Sequence, residues 1–215
     1  MTQKQDLKKL SLKIGDYEIF AIPTGIFGLD GGAMFGTVPK VLWQKTNPAD
    51  EQNRIQMEAR ALLLKSKDRV ILIDNGNGFD FKAKYGPKLG EKFAELYGVD
   101  SSGTSLKGSL QKIGLSFNDV TDVSLTHLHF DHAGGSTCEQ NGEIVPTFSN
   151  ATYHVQKSNF ENACNPNLRE KASYLEANFK PLSEKKVLRL IEGPKKNYFN
   201  NISLFLSDGH TVGHQ

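Results

Sequence analysis

The segment Thr126-His127-Leu128-His129-Phe130-Asp131-His132-Ala133-Gly134-Gly135 constrains this chain more than any other. Three imidazoles and a carboxylate crowd into positions 127–132, directly behind Asp122–Thr126, which reads as a short strand. On a helix, positions two apart point about 200° apart, and His127 and His129 could not reach one ion. On an extended segment, positions i and i+2 share a side. The chain is therefore expected to run from a strand into an open loop, with His127 and His129 biting one cation together. Asp131 and His132 come after the strand turns and can serve a second ion nearby. Neutral imidazole and carboxylate suit Zn²⁺, at about 2.0–2.2 Å; Fe, Mn and Co accept the same ligand types. Taken singly, a His is ordinarily a core or surface group. Asp131 alone could cap a helix opening at Ala133-Gly134-Gly135. Jointly the residues resist such readings, because buried polar groups need partners and a metal supplies them together.

A second histidine segment closes the sequence: Leu206-Ser207-Asp208-Gly209-His210-Thr211-Val212-Gly213-His214-Gln215. A strand over 202–207 would deliver His210 into a loop as the third ligand of the first ion. His214 reads as a supporting histidine, since ligating imidazoles need oriented hydrogen-bond partners.

The remaining pattern is that of one α/β domain over residues 1–215. Residues 9–14 alternate and, with Gly15-Asp16 and Tyr17–Ile22, signal a hairpin. Residues 24–37 hold five glycines and read as a loop. Strands are expected at 59–66 and 69–74; the second is continuous in aliphatics, as a strand buried on both faces should be. Helices are expected at 88–98, at 104–114 with caps at Ser102 to Thr104, and at 166–179. Further strands are expected at 151–156 and 186–191. Mixed strands and helices in this order suggest a layered α/β sandwich.

Composition excludes other classes. The 215 residues are 38% apolar and 23% charged, an ordinary globular profile. A net charge of +2 is too small to argue for nucleic acid or an anionic membrane. The longest aliphatic runs, Leu62–Leu64 and Val70–Ile73, fall far short of a bilayer span. No secretory signal is read in Met1–Asp6, and Cys138 and Cys164 make no disulfide framework, so a reduced cytoplasmic protein is expected.

The motifs at His127–His132 and at Gly209-His210-Thr211-Val212-Gly213-His214 resemble the H-x-H-x-D-H and G-H-T-x-G-H motifs of the metallo-β-lactamase superfamily. Asp74-Asn75-Gly76 resembles its earlier D-x-G turn. The resemblance runs from about residue 17 to the last residue. It implies an αββα fold and a two-metal hydrolase. His127, His129 and His210 would hold the first ion; Asp131 and His132 would hold the second. The family adds a bridging Asp and another His farther on, so the chain is read as C-terminally incomplete, with much of the second half of the sandwich missing. A naturally short, non-catalytic metal-binding module is the alternative. Within the superfamily, Leu29–Trp43 and Asn165-Pro166-Asn167-Leu168-Arg169 with Tyr174 resemble bacterial lactonases that open acyl-homoserine lactones. Bacterial organophosphate hydrolases form a sister group.

What the resemblance implies mechanistically is a water shared by two ions about 3.5–4 Å apart, attacking a lactone or ester carbonyl. Asp131 is the expected catalytic residue, a ligand that also either steers the bridging water or passes a proton to the leaving alkoxide. Asp74 is expected to support the ligands, and His154 to be structural. Met34, Phe35 and Trp43 are candidate walls of an acyl pocket, and Phe130 either packs or lines the site. The expected partner is a small-molecule substrate, with a homodimer left open.

Overall fold

A computed structural model describes residues 11–215. Positions 9 and 10 of the alternating segment, and Met1–Asp6, lie outside the described residues. Strand β1 (Leu12–Ile14) turns at Gly15-Asp16 into β2 (Tyr17–Asp30), as the hairpin pattern requires. The glycine-rich stretch is not a loop. β2 runs through it to Asp30, paired in register with β3 (Arg54–Lys65) from Glu18↔Lys65 to Asp30↔Arg54. One bulge, between Pro23 and Gly25, absorbs the proline that cannot donate to the ladder. A long partner strand overrides the weak strand propensity of glycine. Two short helices follow, α1 (Gly31–Phe35), capped by the Asp30 carboxylate on the Ala33 N–H, and α2 (Lys40–Trp43).

β4 (Val70–Ile73) is aliphatic throughout, and Ile71 and Leu72, on its opposite faces, are both wholly buried. Helices α3 (Phe81–Tyr85), α4 (Pro87–Tyr97) and α5 (Leu106–Lys112) come next. The cap of α5 is Ser105, whose hydroxyl accepts from Gly108 N–H, one residue beyond the expected Ser102–Thr104. β5 (Asp122–Ser124) leads to α6 (Phe130–Ala133), then to the ribbon β6 (Thr137–Gln140) and β7 (Glu143–Pro146). β8 (Thr152–Gln156) runs straight into α7 (Lys157–Cys164).

The helix expected over 166–179 does not form. α7 ends at Asn165, because a residue before proline disfavours the helical region. The Asn167 carboxamide then accepts from the N–H groups of Arg169 and Glu170, closing a turn in place of a helix. Two single 3₁₀ turns complete the stretch. α8 (Lys180–Glu184), β9 (Leu188–Ile191), β10 (Lys195–Phe199) and β11 (Ile202–Leu204) finish the described elements.

Seven strands form one sheet in the order β1-β2-β3-β4-β5-β8-β9. The pairs from β1 to β4 are antiparallel; β4-β5, β5-β8 and β8-β9 are parallel. One face carries the main core, where Phe20, Leu63, Leu72, Val123 and Tyr153 meet Leu106 and Leu110 of α5, Ala163 of α7 and Leu182 of α8. On the other face Tyr17, Leu64 and Ile71 pack against Phe199 of the β10-β11 ribbon. This is the layered α/β arrangement expected. In open sheets, ligands collect outside the carboxyl ends of parallel strands. Here those are the ends of β4, β5, β8 and β9.

Candidate metal centre

Two of those strand ends, those of β4 and β5, supply parts of one polar cluster. Asp74 follows β4 in the left-handed region, at φ 58°. His127 and His129 follow β5 on an extended segment, His129 at φ −63° and ψ 152°, before α6 begins. Neither His127 nor His129 lies in a helix, which agrees with the extended reading of the i, i+2 pair. Asp131 lies in the first turn of α6, where the N-cap position belongs to His129. Gly134 and Gly135 follow because the chain passes tightly over the Asp74 turn. A Cβ at Gly134 would stand 2.2 Å from the Asn77 carbonyl, and one at Gly135 would stand 2.5 Å from that of Asn75.

His210 arrives differently from expectation. β11 ends at Leu204, and His210 sits in a turn six residues later, not at a strand end. It nevertheless meets the others. One ring nitrogen each of His127, His129 and His210 lie within 4.8 Å of one another. The His127 ring is 4.5 Å from that of His129, 4.9 Å from His210 and 4.1 Å from His132. His214 stands 5.0 Å from His127, beside the cluster.

Hydrogen bonding gives the rings their orientation. His132 Nδ1 lies 2.8 Å from Asp74 Oδ2, and an ionised carboxylate only accepts, so Nδ1 donates and Nε2 is left free. That Nε2 is 3.5 Å from Asp131 Oδ2. The Thr126 N–H and hydroxyl donate to Asp74 and fix its carboxylate. Nε2 of His127 and Nε2 of His129 are buried and, among the described residues, have no hydrogen-bond partner. Buried polar atoms are rarely left so. Burial, followed by the charge of His132 and the other rings, holds the His127 pKa far below the ordinary value. Burial, with His210 next, lowers that of His129 to about 4. Burial opposes protonation of His132, yet the bond to Asp74 and the charges of Asp74 and Asp131 outweigh it and raise its pKa. Neutral imidazoles with unpaired nitrogens on a common point are the form a divalent cation binds. The residues present thus fit such an ion.

The cluster opens on a cleft of about 710 Å³. His129, Asp131, His132 and His210 form its floor; Leu29, Met34, Met57, Tyr97 and Phe130 line its apolar side. Of the three expected wall residues only Met34 lines it. Phe35 and Trp43 stack on each other at 5.2 Å, and Trp43 is buried behind the cleft. Phe130 both lines and packs, with Tyr97 at 4.4 Å and Phe93 at 5.1 Å. His154 is remote from the cluster, bonded to Asp122 and Tyr198 as a structural histidine.

The metallo-beta-lactamase superfamily model matches residues 58–187, more than half of the chain. The chain belongs to the metallo-beta-lactamase superfamily. Among its relatives in that superfamily, the N-acyl homoserine lactonase AttM of Agrobacterium fabrum is 27% identical over 111 residues, 49% of this chain and 38% of the relative. AttM of Rhizobium johnstonii is 22% identical over 195 residues, 88% and 68% of the two chains. A probable metal-dependent hydrolase from Staphylococcus aureus superposes with a TM-score of 0.79 at 34% identity, covering 94% of this chain and 68% of that one. The dizinc quorum-quenching lactonase AidC superposes at 0.64 with 24% identity, over 95% and 67%, a likeness of fold. The chain thus spans between about two fifths and two thirds of these superfamily relatives.

Proposed function

We propose that this protein is a two-metal hydrolase of lactones or related esters, with zinc as its metal. His127, His129 and His210 hold the first ion in this reading, and Asp131 and His132 the second. The observation that carries it is the convergence of His127, His129 and His210, with two buried Nε2 atoms that have no hydrogen-bond partner among the described residues. The AttM relatives and the AidC structure, both named as lactonases, support the substrate class.

Bound there, divalent cations supply Lewis acidity and bring water toward ionisation near neutral pH. The chain's own residues do the rest. Asp74 holds the His132 ring by Nδ1 and keeps Nε2 turned to the cleft. Asp131, on the cleft floor, orients the attacking water and passes its proton to the leaving alkoxide. Leu29, Met34, Met57 and Tyr97 exclude water and take up the acyl portion.

Zinc-loaded protein should open N-hexanoyl-homoserine lactone, read by liberated acid, and paraoxon turnover should be far slower. Paraoxon turned over with the lactone left intact would move the reading to the organophosphate hydrolases. Zinc that binds with neither substrate consumed would leave a metal-binding module.

A further inference from the structure

One buried amide ties together the two loops that carry the histidines. Asn159, wholly buried, stands in the first turn of α7. Its Oδ1 accepts from the Leu128 N–H at 2.9 Å, the residue between His127 and His129. Its Nδ2 donates to the Val212 carbonyl at 2.7 Å, two residues beyond His210. We propose that Asn159 is a positioning residue of the metal centre, whose amide sets the separation between the His127–His129 pair and His210 and thereby the affinity for a divalent cation. This rests on the metal reading given above.

The chemistry of the side chain is specific. One end must accept and the other must donate, which a carboxamide does at any pH and a carboxyl of the same length only when protonated. An ionised carboxylate could take the Leu128 N–H but would turn a second acceptor toward the Val212 carbonyl. Ligating imidazoles depend on such orientation, and losing a supporting partner costs about 10- to 100-fold in metal affinity.

The backbone gives independent support. Gly213, at φ +70°, lies directly on the start of α7. A Cβ there would stand 2.4 Å from Ser158 Oγ and 2.5 Å from the Asn159 N. The His210 loop is thus seated on the same helical turn that bonds the His127–His129 loop. A second amide pair holds the far side of that loop. Gln156 Nε2 donates to Gln215 Oε1 at 2.9 Å, and Gln215 Nε2 donates to the Leu125 carbonyl at 2.8 Å. β8 and α7 therefore serve as the jig on which the two ligand loops are assembled.

The test is zinc affinity, measured by competition with a chromophoric chelator, alongside the visible spectrum of Co²⁺-loaded protein. Wild type, His129→Ala, His210→Ala, Asn159→Asp, Gly213→Ala and each of the last two combined with His210→Ala are compared. Asn159→Asp and Gly213→Ala should each weaken zinc binding about 10- to 100-fold, and change the cobalt absorption as His210 withdraws. In the His210→Ala background both should cost little more, because no third imidazole remains to be placed. A purely structural residue would lower metal-free Tm equally in both backgrounds and leave the cobalt spectrum alone. That result, or wild-type zinc affinity in Asn159→Asp, overturns the proposal. Gly213→Ala answers the question should Asn159→Asp not accumulate as folded protein. If His129→Ala binds zinc as wild type does, the metal reading itself has failed, and the role of Asn159 with it.

Discussion

His132 and Asp74 lie 58 residues apart in sequence, yet Nδ1 and Oδ2 meet at 2.8 Å. The pair ties the turn after β4 to helix α6, which follows β5, and fixes which imidazole nitrogen faces the cleft. Asp74→Asn keeps the shape but can present its NH₂ to Nδ1, releasing the tautomer. Zinc affinity at the second site should fall about 10- to 100-fold, while the first site, on His127, His129 and His210, keeps its own. Titration with two resolved stoichiometric steps checks this; equal weakening of both steps would contradict it.

His129 makes two opposite contributions, separable by metal. With zinc present, His129→Ala should abolish hydrolysis and remove the rise in Tm that bound metal gives, because binding to the folded state alone is stabilising. Without metal, pH reveals the other. The His129 pKa is about 4 in the fold, below its ordinary 6.5, so between those values the unfolded chain binds the extra proton. Metal-free wild type therefore loses stability as pH falls from 6.5 to 4. His129→Ala should lose less over that interval in thermal melts.

Some of this was plain in the sequence and some was not, for physical reasons. The His127–His132 cluster is legible because its members are consecutive and only an extended segment lets an i, i+2 pair converge. β4 is legible because both its faces are buried. β2 was hidden because its glycines look like a loop until β3 is known to pair with them along nearly their whole length. The β6-β7 ribbon, with partly exposed Cys138, Glu139 and Ile144, carries no clear alternation.

α7 is the instructive failure. Its sequence, Lys157-Ser158-Asn159-Phe160-Glu161-Asn162-Ala163-Cys164, sets only Phe160 and Ala163 against the core, too short an apolar stripe to read. Asn159 is buried in hydrogen bonds instead, and Asn162 donates to Glu170, so periodicity has little to detect. Its partners lie 31 and 53 residues away. A role defined by three separated segments is written in none of them.

The second structural carboxylate lies on the far side of β5. Burial works against ionisation of Asp122, but bonds from His154 and Thr121 and the charge of Arg69 prevail and hold its pKa below the ordinary value. Arg69 donates to both carboxylate oxygens at 2.9 Å. A depressed carboxylate stabilises the fold above its unfolded pKa of about 3.9, and that contribution disappears as pH falls through the lower folded value. Asp122→Asn should cost about 2 kcal/mol at pH 7, with the gap to wild type closing below about pH 4. Denaturant melts at pH 7, 5 and 3 check the trend; a constant gap would contradict it.

Lys84 gives a slope of the same sign, displaced to alkaline pH. Its side chain is entirely buried, and the ammonium donates to the carbonyls of Gly134 and Thr137, bracing the turn behind His132. Burial lowers its pKa to about 8, with Asp80 at 3.9 Å offsetting part of the effect. The unfolded chain keeps this proton up to the ordinary 10.5. Between about 8 and 10.5 the unfolded state therefore binds more protons, and stability gains from Lys84 as pH rises. Lys84→Met removes that gain and leaves two buried carbonyls without a donor, at about 1–3 kcal/mol near pH 7. The difference in unfolding free energy between wild type and Lys84→Met should accordingly widen from pH 7.5 to 9.5. Taking the difference cancels the other groups that titrate there, and a gap that stays flat would mean that Lys84 is not held charged against its burial.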